Sequence, residues 1–351
     1  MRRIRIGVAA ALAFSSCVLW GSIPSAQSLN AGLFDRYLDA LRQEYRIPGL
    51  SVVVVQNGNV VMSRGFGQAD VSLSTPARPD TPYLIANLSE TIGSALVLRH
   101  CVDFGTAQLT DEVNRWMPPG EPAAEPRATF ESVLGHTAPN GVYGYSPERF
   151  ATAGPAAAEC GERPYPLLAS SLFDFLAMRR SVPGRDAVDP DNLTLYAPAT
   201  ADRYRAVLRD LATPYRISGG VAIRNDVARR DLTAATGVVS TALDLAAFDS
   251  ALDSGLVLSS PLVQASLARG PNRPTGLGWF VQQYPVSGDP VIWHFGLVKD
   301  AYSSLIVKLP AQRLTVIMLA NSDALAVAIN PAQPDVTQSI FARTFLRLFV
   351  G

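Results

Sequence analysis

Hydrolysis of an ester or amide through a covalent intermediate needs a nucleophilic oxygen, a base to take its proton, and donors for the oxyanion. One arrangement supplies the first two as Ser-x-x-Lys, with the pair one helical turn apart. This chain has two lysines, Lys299 and Lys308, and the residues three positions before them are Gly296 and Leu305. Neither is a serine. A Gly-x-Ser-x-Gly elbow is absent as well. The three histidines, His100, His136 and His294, show neither HExxH nor paired-ligand spacing, so no metal site is expected and nothing calls for a cofactor.

The segment with the most unusual chemistry is residues 85–91, Ile-Ala-Asn-Leu-Ser-Glu-Thr. Asn87 and Glu90 are three apart. That spacing fits a capping box, with Asn87 as N-cap and Glu90 returning to its backbone, and an acid in a first helical turn also suits the helix dipole. The competing reading gives Glu90 a binding or catalytic role.

The elements around this segment are legible from periodicity. Leu33, Phe34, Tyr37, Leu38, Leu41 and Tyr45 recur at helical spacing and end at Pro48-Gly49. Residues 50–56 and 60–65 are strand-like and joined across Asn57-Gly58, a hairpin signal. Residues 91–102 read as an apolar helix, and 117–127 and 181–200 as irregular stretches. Four strand-like runs follow, at 278–284, 291–295, 302–309 and 314–320. A closing helix runs from about Asp335, with Ile340, Phe341, Phe345, Leu348 and Phe349 on one face. Helix, hairpin, helical middle, strands and terminal helix predict an α+β fold.

Several short motifs, taken in order, resemble the serine β-lactamase and penicillin-binding-protein family, in its class C-like esterase and D-peptidase branch. They are Ile47-Pro48-Gly49-Leu50-Ser51-Val52, Leu134-Gly135-His136-Thr137, Tyr145-Ser146-Pro147, and Gly161-Glu162-Arg163-Pro164-Tyr165. Further on come residues 236–245, Gly276-Leu277-Gly278-Trp279 and His294-Phe295-Gly296. The resemblance implies an antiparallel sheet flanked by N- and C-terminal helices, with an inserted helical domain. It divides the chain into a sheet part at about 29–85 and 215–351 and a helical part at about 86–214.

In that family the 85–91 segment reads Ile-Ala-Ser-x-(Ser/Thr)-Lys-Thr, and its Lys and the motif-two Tyr share the base role. Here Asn87 stands at the nucleophile position and Glu90 at the Lys position. Tyr145 is kept, Pro147 replaces the motif-two Asn, and His294 and Gly296 are kept. The backbone N–H groups of Asn87 and Leu297 would be the oxyanion pair. Ser89 lies two residues past the nucleophile position, which turns its side chain roughly 200° away. His136 and His100 read as structural. The resemblance therefore implies a pseudoenzyme whose pocket, built from Asn87, Glu90, Tyr145, His294, Gly296 and Leu297, binds a cell-wall peptide, another small molecule or a protein partner. The alternative is a divergent esterase, amidase or D-peptidase using Tyr145, His294 and Glu90.

Composition narrows the setting. A formal net charge of zero argues against nucleic acid as a partner. Arg2, Arg3 and Arg5 precede an apolar run at 6–20, and Ala26-Gln27-Ser28 offers a cleavage site, so residues 1–28 read as a secretory signal. An uncleaved anchor, or a lipoprotein attached at Cys17, are the alternatives. Export to the periplasm or beyond would leave no membrane-spanning segment after cleavage. It would also leave Cys101 and Cys160 where disulfides persist, either bridged or as buried thiols.

Overall fold

Asn57 and Gly58 both take left-handed backbone angles, φ 51° and 76°, and close a tight hairpin between β1 (Gly49–Gln56) and β2 (Asn59–Asp70). The structure is a computed structural model that describes residues 26–121, 123–228 and 231–350. The basic start and apolar run of the expected leader, Cys17 included, lie outside the described residues.

After α1 (Ala26–Glu44) and the hairpin come the short strands β3 (Thr75–Pro76) and β4 (Tyr83–Leu84). The helices α2 (Ser89–Val97), α3 (Phe130–Leu134), α4 (Pro147–Ala151), α5 (Ala153–Cys160), α6 (Tyr165–Phe175), α7 (Pro190–Leu193) and α8 (Pro198–Arg209) follow. A small hairpin, β5 (Tyr215–Ser218) and β6 (Val221–Arg224), leads to β7 (Val239–Ser240), α9 (Ala242–Asp253) and α10 (Ser260–Leu267). The chain closes with β8 (Phe280–Gln283), β9 (Pro290–Val298), β10 (Tyr302–Leu309), β11 (Leu314–Ala320) and α11 (Ile340–Phe349). The main sheet is antiparallel with strand order β3-β2-β1-β11-β10-β9-β8.

The central strands β1, β10 and β11 are buried on both faces. Along β1, Val52 and Val54 join one apolar cluster while Val53 and Val55 join the other, as the period-two alternation of strand side chains requires. The first cluster is closed by α1 and α11, where Phe34 packs against Phe345 with ring centroids 5.6 Å apart. The second lies under α2 and α9. Residues 86–214 supply α2 to α8, and every strand lies outside that range.

Several elements depart from the sequence reading, among them the closing helix, which starts at Ile340 after a 3-10 turn at Val336–Gln338. The helix expected over 91–102 is α2 followed by a π-helical turn, Leu98–Asp103. That turn brings Cys101 to Cys160 at the end of α5, and the two form a disulfide with Cα atoms 5.1 Å apart. The stretch 181–200 holds a 3-10 turn at Arg185–Val188, α7, and the start of α8. The strand expected over 278–284 starts only at Phe280, because Gly278 sits at φ 77°.

Candidate functional site

A 3-10 turn, Ala86–Leu88, carries Asn87 and runs directly into α2. Ala86 sits at φ 51°, a left-handed conformation that costs a residue with a Cβ about 1–2 kcal/mol. The turn is docked onto the sheet at Gly296. A Cβ there would lie 1.9 Å from the carbonyl oxygen of Ile85, and the Ser304 hydroxyl donates to that same oxygen at 2.7 Å. Glycine at 296 is thus a steric requirement of turn meeting strand.

Glu90, in the first turn of α2, is completely buried. One carboxylate oxygen accepts from the Nε2 atoms of His136 and His294, each at 3.0 Å, and the other accepts from the Tyr145 hydroxyl at 3.2 Å. The capping box is therefore corrected. The residue before α2 is Leu88, no side chain caps the helix, and the Glu90 carboxylate is directed to three tertiary partners instead. Hydrogen bonds to a charged group contribute about 1.5–3 kcal/mol each. Three of them are of the size needed to offset the several kcal/mol cost of burying a carboxylate.

The second hydrogen bonds fix the imidazole protons. The backbone N–H of Ser146 donates to Nδ1 of His136 at 3.2 Å, so the proton of that ring is on Nε2, facing Glu90. Nδ1 of His294 is 2.9 Å from the carbonyl oxygen of Phe295 and must donate to it. Burial pushes the Glu90 carboxyl up, but the two histidines outweigh it and hold the group below its ordinary value of 4.5. Burial, then the charge of Glu90 and the hydrogen bond to it, raise the Tyr145 hydroxyl well above 10.0. Tyr145 is a proton donor here, with its proton held by Glu90.

Two imidazoles and a carboxylate are also a zinc donor set. The Ser146 N–H rules that use out, because it leaves His136 Nε2 protonated and without a lone pair for a metal. No group of three or more acidic, His or Cys residues is arranged to hold a metal among the described residues.

The centre of the site is packed with rings. His136 lies 4.4 Å from Tyr145 and 5.2 Å from Phe150, and Phe280 lies 5.6 Å from Tyr145 and 5.2 Å from His294. Glu90, His136, His294 and Gly296 are buried, whereas Asn87, Tyr145 and Leu297 are half-buried. Of the six pocket residues expected, Glu90, His294 and Gly296 thus lie beneath the surface. The side chain of Leu297 packs with the opposite core, so only its backbone faces the turn.

His136, read as structural, belongs to the cluster, and only the Leu-Gly-His-Thr motif could have flagged it. His100 stays outside, edge-on to Phe104. Ser89 is buried and its Oγ accepts from the Val238 N–H at 3.3 Å, turned away from Asn87's surroundings. Pro147 is the first residue of α4, behind the N-cap Ser146. Lys308 is bound to Asp249 and, at 2.8 Å, to Asp253, so its ammonium is committed elsewhere.

With this geometry in place, the comparison with known proteins is informative. The family model described as Beta-lactamase matches residues 34–178 and 161–333. The chain belongs to the β-lactamase family. Among characterised relatives, Esterase EstB of Burkholderia gladioli is 32% identical over 128 residues, 34% of this chain and 32% of its own length. Protein flp of Staphylococcus aureus strain N315 is 31% identical over 84 residues, 24% of this chain and 17% of its own. The matches thus span a third or less of these relatives. Among solved structures, the octameric penicillin-binding protein homologue from Pyrococcus abyssi aligns with a TM-score of 0.69 at 19% identity, covering 90% of this chain and 77% of that one. A structure titled SurE gives 0.70 at 19%, covering 92% and 76%. At that identity the two likenesses speak to the fold, which is the β-lactamase/transpeptidase-like arrangement.

Proposed function

We propose that this β-lactamase-family protein is an exported pseudoenzyme that binds a ligand without hydrolysing it. The observation that carries the reading is the saturated Glu90 carboxylate. It holds the proton of Tyr145, faces two imidazole N–H groups, and has no access to water. Asn87 offers no oxygen that an acyl group would be transferred to. In a serine hydrolase dissected this way, loss of the nucleophile alone costs about 10⁶ in turnover. Of the expected pocket, Asn87, Tyr145 and Leu297 are the half-buried residues left to meet a ligand. Beyond Trp293, β9 pairs with no strand on the β8 side among the described residues, and an open sheet edge suits an extended peptide. Cell-wall peptides are the ligand class that family membership favours.

The relative named as an esterase favours the rival reading, a hydrolase acting through Tyr145, His294 and Glu90. That reading needs Glu90 as a base for water, and a buried carboxylate already accepting three hydrogen bonds is a poor one. Export is part of the proposal: the N-terminal sequence and the Cys101–Cys160 disulfide both support it. No helix among the described residues is long and apolar enough to cross a membrane.

Titration with a soluble peptide ending in D-Ala-D-Ala tests the binding half. Saturable binding, weakened by Asn87→Leu and unaccompanied by cleavage, is expected. Cleavage of the peptide by the unmodified protein would contradict the proposal, and absence of binding would remove cell-wall peptides as the ligand.

A further inference from the structure

The helix that follows Tyr145 borders a second cleft. Glu148 and Ala151 of α4 and Ala158 of α5 line a cavity of about 540 Å³, in the range of small-molecule sites. Its walls carry the rings of Pro118, Pro155, Pro164 and Pro166 together with Tyr165. Asn87, Glu90 and His294 are not among its lining residues, so this cleft is separate from the site described above.

The charge of the cleft has one sign. Among the described residues its lining includes the exposed carboxylates Glu121 and Glu148 and no lysine, arginine or histidine. Two neighbouring cations among the described residues are engaged elsewhere. Arg149 donates to Glu125 at 2.9 Å and to the Gly144 carbonyl at 3.2 Å, and Arg163 donates to Ser171. Glu148 receives only a long bond from the Ser146 hydroxyl, 3.4 Å. Proline and tyrosine rings are poor ligands for a strongly hydrated metal ion. They are good partners for an alkylammonium, whose charge is spread over C–H groups that pack against apolar and aromatic faces.

We propose that this cleft binds an organic ammonium compound, an apolar or aromatic body carrying a fixed positive charge. The apolar walls take the body and the two carboxylates select the charge. The inference goes beyond the proposed function and does not depend on it.

Benzyltrimethylammonium titrated into the full chain, followed by calorimetry or by ligand-detected NMR, provides the test. Saturable one-to-one binding is expected at or below roughly 1 mM. The paired change Glu121→Gln with Glu148→Gln should weaken it on the order of fivefold, since rim charges contribute modestly. Ala158→Trp, which fills the cleft, should abolish it while the circular dichroism spectrum is unchanged. If that variant misfolds, the two glutamine changes, which lie on the surface, still decide the matter. Equal affinity for the uncharged isostere neopentylbenzene would overturn the proposal. So would binding indifferent to the glutamine changes, or no saturation by about 10 mM.

Discussion

Glu90 is where a residue-level account makes its sharpest demands. A buried charge whose partners remain when it is removed leaves them uncompensated, so Glu90→Ala should lower unfolding free energy by about 3–5 kcal/mol in urea titrations. A loss under 1 kcal/mol would show that the hydrogen bonds do not form. The sign of the pH dependence also follows. Because the carboxyl is held below 4.5 in the folded protein, its stabilising contribution is complete above that value and fades as pH falls toward the folded value. The unmodified protein should therefore lose stability below pH 4.5 more steeply than Glu90→Gln. Parallel acid limbs in the two proteins would contradict the depressed value. The same geometry sets expectations for restoring chemistry. Asn87→Ser alone should remain inert toward p-nitrophenyl esters, because Glu90 still holds the Tyr145 proton. Adding Glu90→Lys removes the anion that raises Tyr145 and supplies a cation. Weak turnover should appear only in that double variant and vanish with Tyr145→Phe. A folded but inactive double variant would mean that Pro147 and the packed rings have closed the pocket itself.

At the level of elements, the disulfide ties the π-helical turn after α2 to the end of α5, across a sequence separation of 59. Chain-entropy reasoning assigns a loop of this length about 4 kcal/mol, and engineered cases often fall short of that. Replacing both cysteines by alanine should therefore lower stability by about 2–4 kcal/mol in denaturant titrations. No change would show that the bridge is not formed in the isolated protein. What the sequence made legible was local. The Asn57-Gly58 turn set the first hairpin, and the apolar runs of β10 and β11 matched the structure at both ends because alternation and turn residues act over a few positions. The capping box also looked local and was misleading. Glu90 meets His136 and His294 across separations of 46 and 204 residues, and no short-range pattern announces such a meeting. The same holds for His136, whose neighbours in sequence suggested packing alone. Asn87 and Tyr145 were singled out because the resemblance placed them, and both are half-buried.

For the whole molecule, the sheet with apolar clusters on both faces holds the turn, α2 and β9 together, with the turn docked on β9 at Gly296. Most of the buried apolar side chains lie in those clusters, so an Asn at 87 in place of a serine leaves the scaffold intact. Penicillin recognition and acylation are then separable, and acylation is the step that this chain should lack. Intact-mass spectrometry after incubation with a fluorescent penicillin measures it directly. The expected result is an unshifted protein mass, with no fluorescence retained after denaturation. A stoichiometric mass increase equal to the penicillin would contradict the central claim, and peptide mapping of the adduct to Ser89 would identify the nucleophile in its place.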